Sequence, residues 1–304
     1  VSAWLTAHRL AFTATRGRWF EIKCTVAQAR KLLSATLVKI SPRAAPLRST
    51  RIFATEYTLP SHIQAVVAAV YGLQGVPLLR SSGEKSQPNP YQPPPVTPTI
   101  LSEVYSVDNA PKPSSPKNKQ AVIGFLGQTF EQSDLKQFFK MYVSNTTVPN
   151  ATCFGPNDCT GGAETEASLD IQYLMALTPG YTTEYWLLSG DTLDFCGTVM
   201  QWTQLLLATP NPPIVQSVSY GFQGDLGEAG CTQAHINGVE NDLAKAAALG
   251  ISIIFASGDQ GNGQDEGNNK LYSSWPGSSP YVTSVGATQF QNFTIGHPQE
   301  AAAY

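Results

Sequence analysis

The sequence predicts two domains: a small α+β unit, then a larger α/β unit built on a mostly parallel sheet with helices on both faces. Three observations carry this. The first 80 residues read strand, helix, strand, helix. Residues 81–98 form a polar, proline-rich tether. From residue 121 onward, apolar runs of strand length alternate with helical segments, the pattern of a parallel sheet covered on two sides.

In the first domain, Trp19 to Lys23 reads as a strand. Thr25 and Gln28 form a capping box for a helix ending near Leu33. Arg51 to Tyr57 is a second strand. Pro60-Ser61 opens a second helix to about Tyr71, with Ser61 and Gln64 in capping positions. His8 and His62 have no partner acids or cysteines at ligand spacing and read as surface or packing residues. The tether SSGEKSQPNPYQPPPVTP, with Lys85 its one lysine, reads as an interdomain linker, and extended polar chain of this kind also suits proteolytic processing.

The second domain opens with the buried strand Ala121 to Leu126, then a helix from about Gln132 to Tyr142 and a polar loop. A helix follows the glycines Gly161-Gly162 and runs through Met175. Next come a strand at Glu184–Leu188, a helix at about Leu193–Leu207, a strand at Ile214–Tyr220 and a helix at Ala229–Leu249. Strands at Ile251–Ala256 and Tyr281–Val285 close the series. Ligands of such folds gather at the carboxyl ends of the strands. Ser219-Tyr220-Gly221 and Ser257-Gly258-Asp259-Gln260-Gly261 lie at such ends. The segment after them, Gly261 to Trp275, reads as a rim loop, and Asp265 and Glu266 in it fit a solvated loop better than a metal site.

Among 304 residues only 13% are charged and the net charge is −3, which argues against a nucleic-acid partner. No apolar run is long enough to span a membrane. The chain opens at Val1, with neither Met nor a charged leader, so its start carries little information on a signal peptide. Glycosylation triplets begin at Asn145, Asn150 and Asn292, and the first two share one polar loop, as suits a chain in the secretory pathway. The five cysteines show no zinc spacing. Cys153 and Cys159 bracket a turn and suit a small disulfide loop, and an odd count leaves at least one thiol over.

The helix after Gly162 carries the sharpest signal. Glu166 and Asp170 are four residues apart, so both carboxylates leave one face and repel each other. An acidic solvent face is the commoner reason for such spacing. The alternative is a carboxylate pair sharing a proton, one member with a raised pKa, as acid–base chemistry requires. Asp259 in its Gly-Asp turn reads first as a backbone cap. Kept protonated in an acidic medium, it also suits hydrogen bonding to a developing oxyanion.

Four segments in order resemble the sedolisin family of serine-carboxyl peptidases: Glu166-Ala167-Ser168-Leu169-Asp170-Ile171-Gln172-Tyr173, Val218-Ser219-Tyr220-Gly221, Phe255 to Gly261, and Ser278 to Gly286. Upstream, Tyr57-Thr58-Leu59-Pro60 resembles the end of the family's propeptide, and Thr97-Pro98 to Tyr105 the start of the mature enzyme. The resemblance implies a ferredoxin-like propeptide over residues 1–80, entered partway, a linker with its processing region over 81–98, and the front of a subtilisin-like, peptidase S53-type catalytic domain over 99–304. It implies that Glu166 is the general base on a nucleophilic serine, that Asp170 orients and tunes Glu166, and that Asp259 serves the oxyanion hole. Such a scheme suits acid pH, where histidine is protonated and a carboxylate still titrates. His235 and His297 stand outside any triad context. The implied activity is tripeptidyl-peptidase or endopeptidase cleavage of peptides or proteins, with the propeptide as intramolecular inhibitor and chaperone, in a secreted or lysosomal (vacuolar) protein.

The family's nucleophile lies in a Ser-Gly-Thr-Ser motif that these residues do not contain, and its calcium ligands belong to the C-terminal part. Ser219, Ser257 and Ser279 gain no claim to be the nucleophile by being serines. The chain is therefore expected to be an incomplete precursor, inactive as it stands, with an open sheet edge that favours aggregation. Two other readings compete. One is a family member that binds peptides or proteins without catalysis. The other is a glycoside hydrolase, although its two acids flank the sugar instead of sharing one helix face.

Overall fold

The computed structural model describes residues 1–15, 19–40, 51–74, 96–107, 111–143, 150–155, 159, 162–188, 194–261, 263–265, 270–292 and 299–302. Asn145, Glu266, His297 and tether residues 81–95, including Lys85, lie outside the described residues, as do the side chains of Asp265 and Asn292. In chain order the first elements are α1 (Ser2–Ala7), β1 (Phe12–Thr15), β2 (Trp19–Ile22), α2 (Val26–Leu33), β3 (Thr36–Ile40), β4 (Arg51–Glu56) and α3 (Ser61–Gln64). Then follow α4 (Pro98–Val104), β5 (Lys119–Gly124), α5 (Gln132–Tyr142), β6 (Thr152–Phe154), α6 (Thr165–Leu177), β7 (Thr182–Leu187), α7 (Phe195–Ala208), β8 (Val215–Val218), β9 (Phe222–Gln223) and α8 (Gln233–Ala248). The last are β10 (Ser252–Ala256), β11 (Gln264–Asp265), β12 (Lys270–Leu271), β13 (Ser274–Trp275), β14 (Thr283–Val285), β15 (Thr288–Asn292) and β16 (Gln299–Ala302).

These elements form two compact units. One comprises Val1–Leu78, Thr192–Pro210 and Leu226–Asp242; the other comprises Leu79–Asp191, Asn211–Asp225 and Leu243–Tyr304. The first is the α+β unit. Its hairpins, β1 with β2 and β3 with β4, are antiparallel. Leu5, Leu10, Leu32, Leu33 and Ala35 form its buried centre. Helix α2 starts as the sequence predicts. The Thr25 hydroxyl accepts from Gln28 N–H at 3.2 Å, and Gln28 Oε1 accepts from Thr25 N–H at 2.9 Å. The helix expected over 61–71 stops at Gln64 instead. Pro60 occupies its N-cap without a side-chain bond, so Ser61 has no capping role, and the β-branched Val66, Val67 and Val70 follow.

The second unit holds the sheet. Six strands run in the order β14-β10-β8-β5-β7-β6, and every neighbouring pair is parallel. Strands β5 and β7 are buried along almost their whole length, as expected of strands covered on both faces. Against them pack Leu135, Phe138 and Phe139 of α5 and Ala167, Ile171 and Met175 of α6. Each large side chain so buried contributes roughly 1.5–3 kcal/mol. The buried Glu184 is compensated by Lys119 Nζ at 2.6 Å and by the Trp186 indole N–H at 2.8 Å. At one edge β14 is exposed at all three of its residues.

Candidate active site

The sheet order fixes where a site belongs. After β5 the chain passes through α5 to the edge strand β6 and returns through α6 to β7. It then reaches β8 on the opposite flank of β5. The order therefore reverses between β5 and β8, and the crevice beyond their carboxyl ends is the switch point at which such folds bind ligands. Phe125, just past β5, stacks on Tyr220, just past β8, with ring centroids 4.2 Å apart and planes 15° off parallel.

The turn after β5 is tightly held. Leu126 and Gly127 both have positive φ, 56° and 68°. The Tyr185 hydroxyl donates to the Gln128 carbonyl at 2.7 Å. A Cβ at position 124 would press on the end of the Tyr185 ring, so glycine lets that ring lie close against the turn. The same turn anchors the start of α6. The Thr129 hydroxyl donates to the Gly162 carbonyl, and Glu164 N–H donates to the Thr129 carbonyl at 2.8 Å.

On α6 the buried residues Ala167, Ile171 and Met175 recur every fourth position, which turns Glu166 and Asp170 onto an adjoining, half-buried face. The Ser219 hydroxyl, at the carboxyl end of β8, donates to the Asp170 carboxylate. Burial pushes the Asp170 carboxyl up to about 6, with the Glu166 charge adding and the Ser219 hydrogen bond opposing. Glu166, Asp170 and Ser219 thus meet at the switch point. Asp259 follows the carboxyl end of β10, the strand beside β8, and is exposed. The Ser219 contact was outside the reach of the sequence, which placed Ser219 at a strand end and in a sedolisin-like segment without pairing it with Asp170.

Of the other sequence expectations, Asn150 is exposed and Asn292 ends β15. Cys153 pairs with Cys159. A second bridge, Cys196–Cys231, was not readable from spacing, and Cys24 is an exposed free thiol. His8 and His62 are exposed, whereas His235 is buried. Among the described residues no cluster of three His, Cys, Asp or Glu side chains is placed to hold a metal. No helix of the described residues is long and apolar enough to cross a membrane.

Comparison with known proteins gives the geometry its context. Residues 1–76 match the family model described as the Pro-kumamolisin activation domain. Over 246 residues the chain is 35% identical to tripeptidyl-peptidase 1 of Rattus norvegicus, covering 78% of this chain and 42% of that protein. The chain belongs to the sedolisin family. The human tripeptidyl-peptidase 1 is 37% identical over 202 residues, covering 64% of this chain and 35% of the human protein. Among solved structures, a Pseudomonas sedolisin (serine-carboxyl proteinase) in complex with two molecules of pseudo-iodotyrostatin superposes with a TM-score of 0.53 at 22% identity. That match covers 67% of this chain and 56% of that one, and it supports the subtilisin-like α/β core. The chain spans about two fifths of the length of the rat relative.

Proposed function

We propose that the protein containing these residues is a serine-carboxyl peptidase that hydrolyses peptide bonds at acid pH. The carrying observation is the half-buried Asp170, whose carboxyl sits at about 6 beside Glu166 at the switch point of a parallel sheet. In this scheme Glu166 takes the proton of a nucleophilic serine as its oxygen attacks the scissile carbonyl. The proton then passes to the leaving amine, and the acyl-enzyme is opened by water through the same base. Asp170 holds and tunes Glu166. Asp259 serves the oxyanion side of the site. Two carboxylates on successive turns of one helix face the substrate from one side, which favours this chemistry over the flanking pair of a glycoside hydrolase.

The family match over residues 1–76 supports reading the α+β unit as a ferredoxin-like propeptide that inhibits and chaperones its own enzyme. Processing falls in the tether, residues 81–98. The names of the mammalian relatives favour release of tripeptides from peptide or protein substrates. Glycans on Asn145, Asn150 and Asn292 suit a secreted or lysosomal protein, and any calcium is held outside these residues.

The test is hydrolysis by the acid-treated full-length protein, on peptides with free or blocked amino termini. Activity is expected below about pH 6 and confined to free amino termini. E166Q and D170N are each expected to lower kcat by about 10²–10⁴-fold. Near-normal turnover by E166Q would remove Glu166 as the base.

A further inference from the structure

Gln223, on β9, lies four residues past Ser219, and its side chain enters the loop that carries Asp259. Its Nε2 donates to the Gly261 carbonyl at 2.9 Å and to the Tyr272 carbonyl at 3.2 Å. Its Oε1 accepts from Gln260 N–H at 3.3 Å. Both ends of one amide are thus used, the donor end twice.

The loop is shaped to admit that amide. A Cβ at position 258 would stand 2.6 Å from Gln223 Oε1, and one at position 263 would stand 2.6 Å from Gln223 Nε2. Gly258, Gly261 and Gly263 also all have positive φ, at 99°, 54° and 61°. Asp259 sits between Gly258, packed on the amide oxygen, and Gln260, bonded to it. Its backbone is fixed on both sides by one side chain. Pairing of β9 with β13 in turn fixes the backbone of Gln223, with Ser274 opposite it.

We infer that Gln223 is a positioning residue that holds Asp259 at the oxyanion side of the site. It ties that loop to the same stretch of chain whose Ser219 holds Asp170. The inference rests on the peptidase reading above. An amide is required because the loop presents two carbonyls and one N–H, a demand that neither a carboxylate nor an aliphatic chain meets. A carboxylic acid in the same place can donate one hydrogen bond while protonated and none once ionised, when it faces two carbonyl oxygens.

The variants Q223A and Q223E, made in the full-length protein, separate the possibilities. Q223A is expected to lower kcat about 10- to 100-fold with KM within about threefold of wild type, because the loop serves the transition state more than substrate binding. Q223E is expected to keep activity at the acid end and to lose it as pH rises, with its alkaline limb about one pH unit below that of wild type. Hydrogen exchange at the Gln260 amide is expected to rise about tenfold or more in Q223A, and in Q223E only once the carboxyl ionises. An active wild type with an unchanged kcat and pH profile in both variants overturns the positioning role alone. Unchanged exchange at Gln260 in Q223A overturns the clamp itself. An inactive wild type overturns the peptidase reading and, with it, any catalytic role for Gln223.

Discussion

An aspartate that titrates near 6 prefers to keep its proton in the folded chain, and this has a thermodynamic sign. The Asp170 carboxyl is raised from 3.8 to about 6, chiefly by burial. Between those values the native state binds more protons than the unfolded state, so stability falls as pH rises. The contribution is fully present below about pH 4 and gone above about pH 6. A shift of this size corresponds to at most about 3 kcal/mol, reduced by the solvent that reaches a half-buried group. D170N removes the titration. Thermal melts over this range are therefore expected to show a wild-type Tm that declines from pH 4 to pH 6 more steeply than that of D170N. Parallel pH profiles for the two proteins would mean that Asp170 has an ordinary pKa. This acid preference matches the chemistry proposed for the site, where Glu166 works beside a neighbour that holds its own proton.

At the scale of elements, the helix that carries the site is only as well placed as its first turn. Thr129 donates its hydroxyl to the Gly162 carbonyl, three residues before α6, and its own carbonyl accepts from Glu164 N–H. Thr129→Val keeps the shape of the side chain and removes that donor. The cost is expected to be about 1 kcal/mol, a Tm lower by about 2 °C for a chain of this size. T129S is expected to restore it; a T129V variant melting with wild type would show the contact to be idle. Elements with strong local signals were legible in the sequence. Helix α5 occupies 132–142 as its apolar spacing requires, α2 has its capping box, and β5, β7, β8 and β10 overlap the strand segments read from the sequence. The elements that escaped have little periodicity to read. Strands β9 and β13 are two residues each and exist because they pair with one another. Helix α4 was hidden by the proline tether, although Thr97 caps Ile100 N–H and Pro98 takes the first helical position, a start signal in its own right. The carboxylate pair was legible because four-residue spacing on a helix is a geometric statement. The Ser219 contact and the Gln223 clamp join segments far apart in sequence, and local pattern carries no information about them.

At the scale of the whole molecule, the activation domain is not an isolated bead. Residues 1–78 share one compact unit with α7 and the first part of α8. Tyr71 stacks on His235 at 4.3 Å, lies 5.5 Å from Trp19, and donates its hydroxyl to the His235 carbonyl at 3.2 Å. The His235 ring nitrogen Nε2 lies 3.0 Å from the Val70 carbonyl. Burial first, then the Asp242 and Asp194 charges, hold the Tyr71 phenol well above its usual range, so it stays a hydrogen-bond donor at all working pH values. The Cys196–Cys231 bridge ties the start of α7 to the segment before α8, the framework on which Val70 and Tyr71 rest. Cutting the tether is therefore separable from releasing the propeptide. Trypsin cleavage after Lys85 is expected to leave the N-terminal fragment bound to the remainder, the two co-eluting on gel filtration at neutral pH. Tyr71→Ala removes a stacked aromatic and a hydrogen bond, a loss of about 3 kcal/mol, which lowers the fragment's affinity by about a hundredfold. The Y71A fragment is then expected to elute separately at micromolar concentration, and His235→Ala to act in the same direction. Separation of the wild-type fragments immediately after cleavage would show that these contacts do not hold the propeptide and that the tether alone retains it.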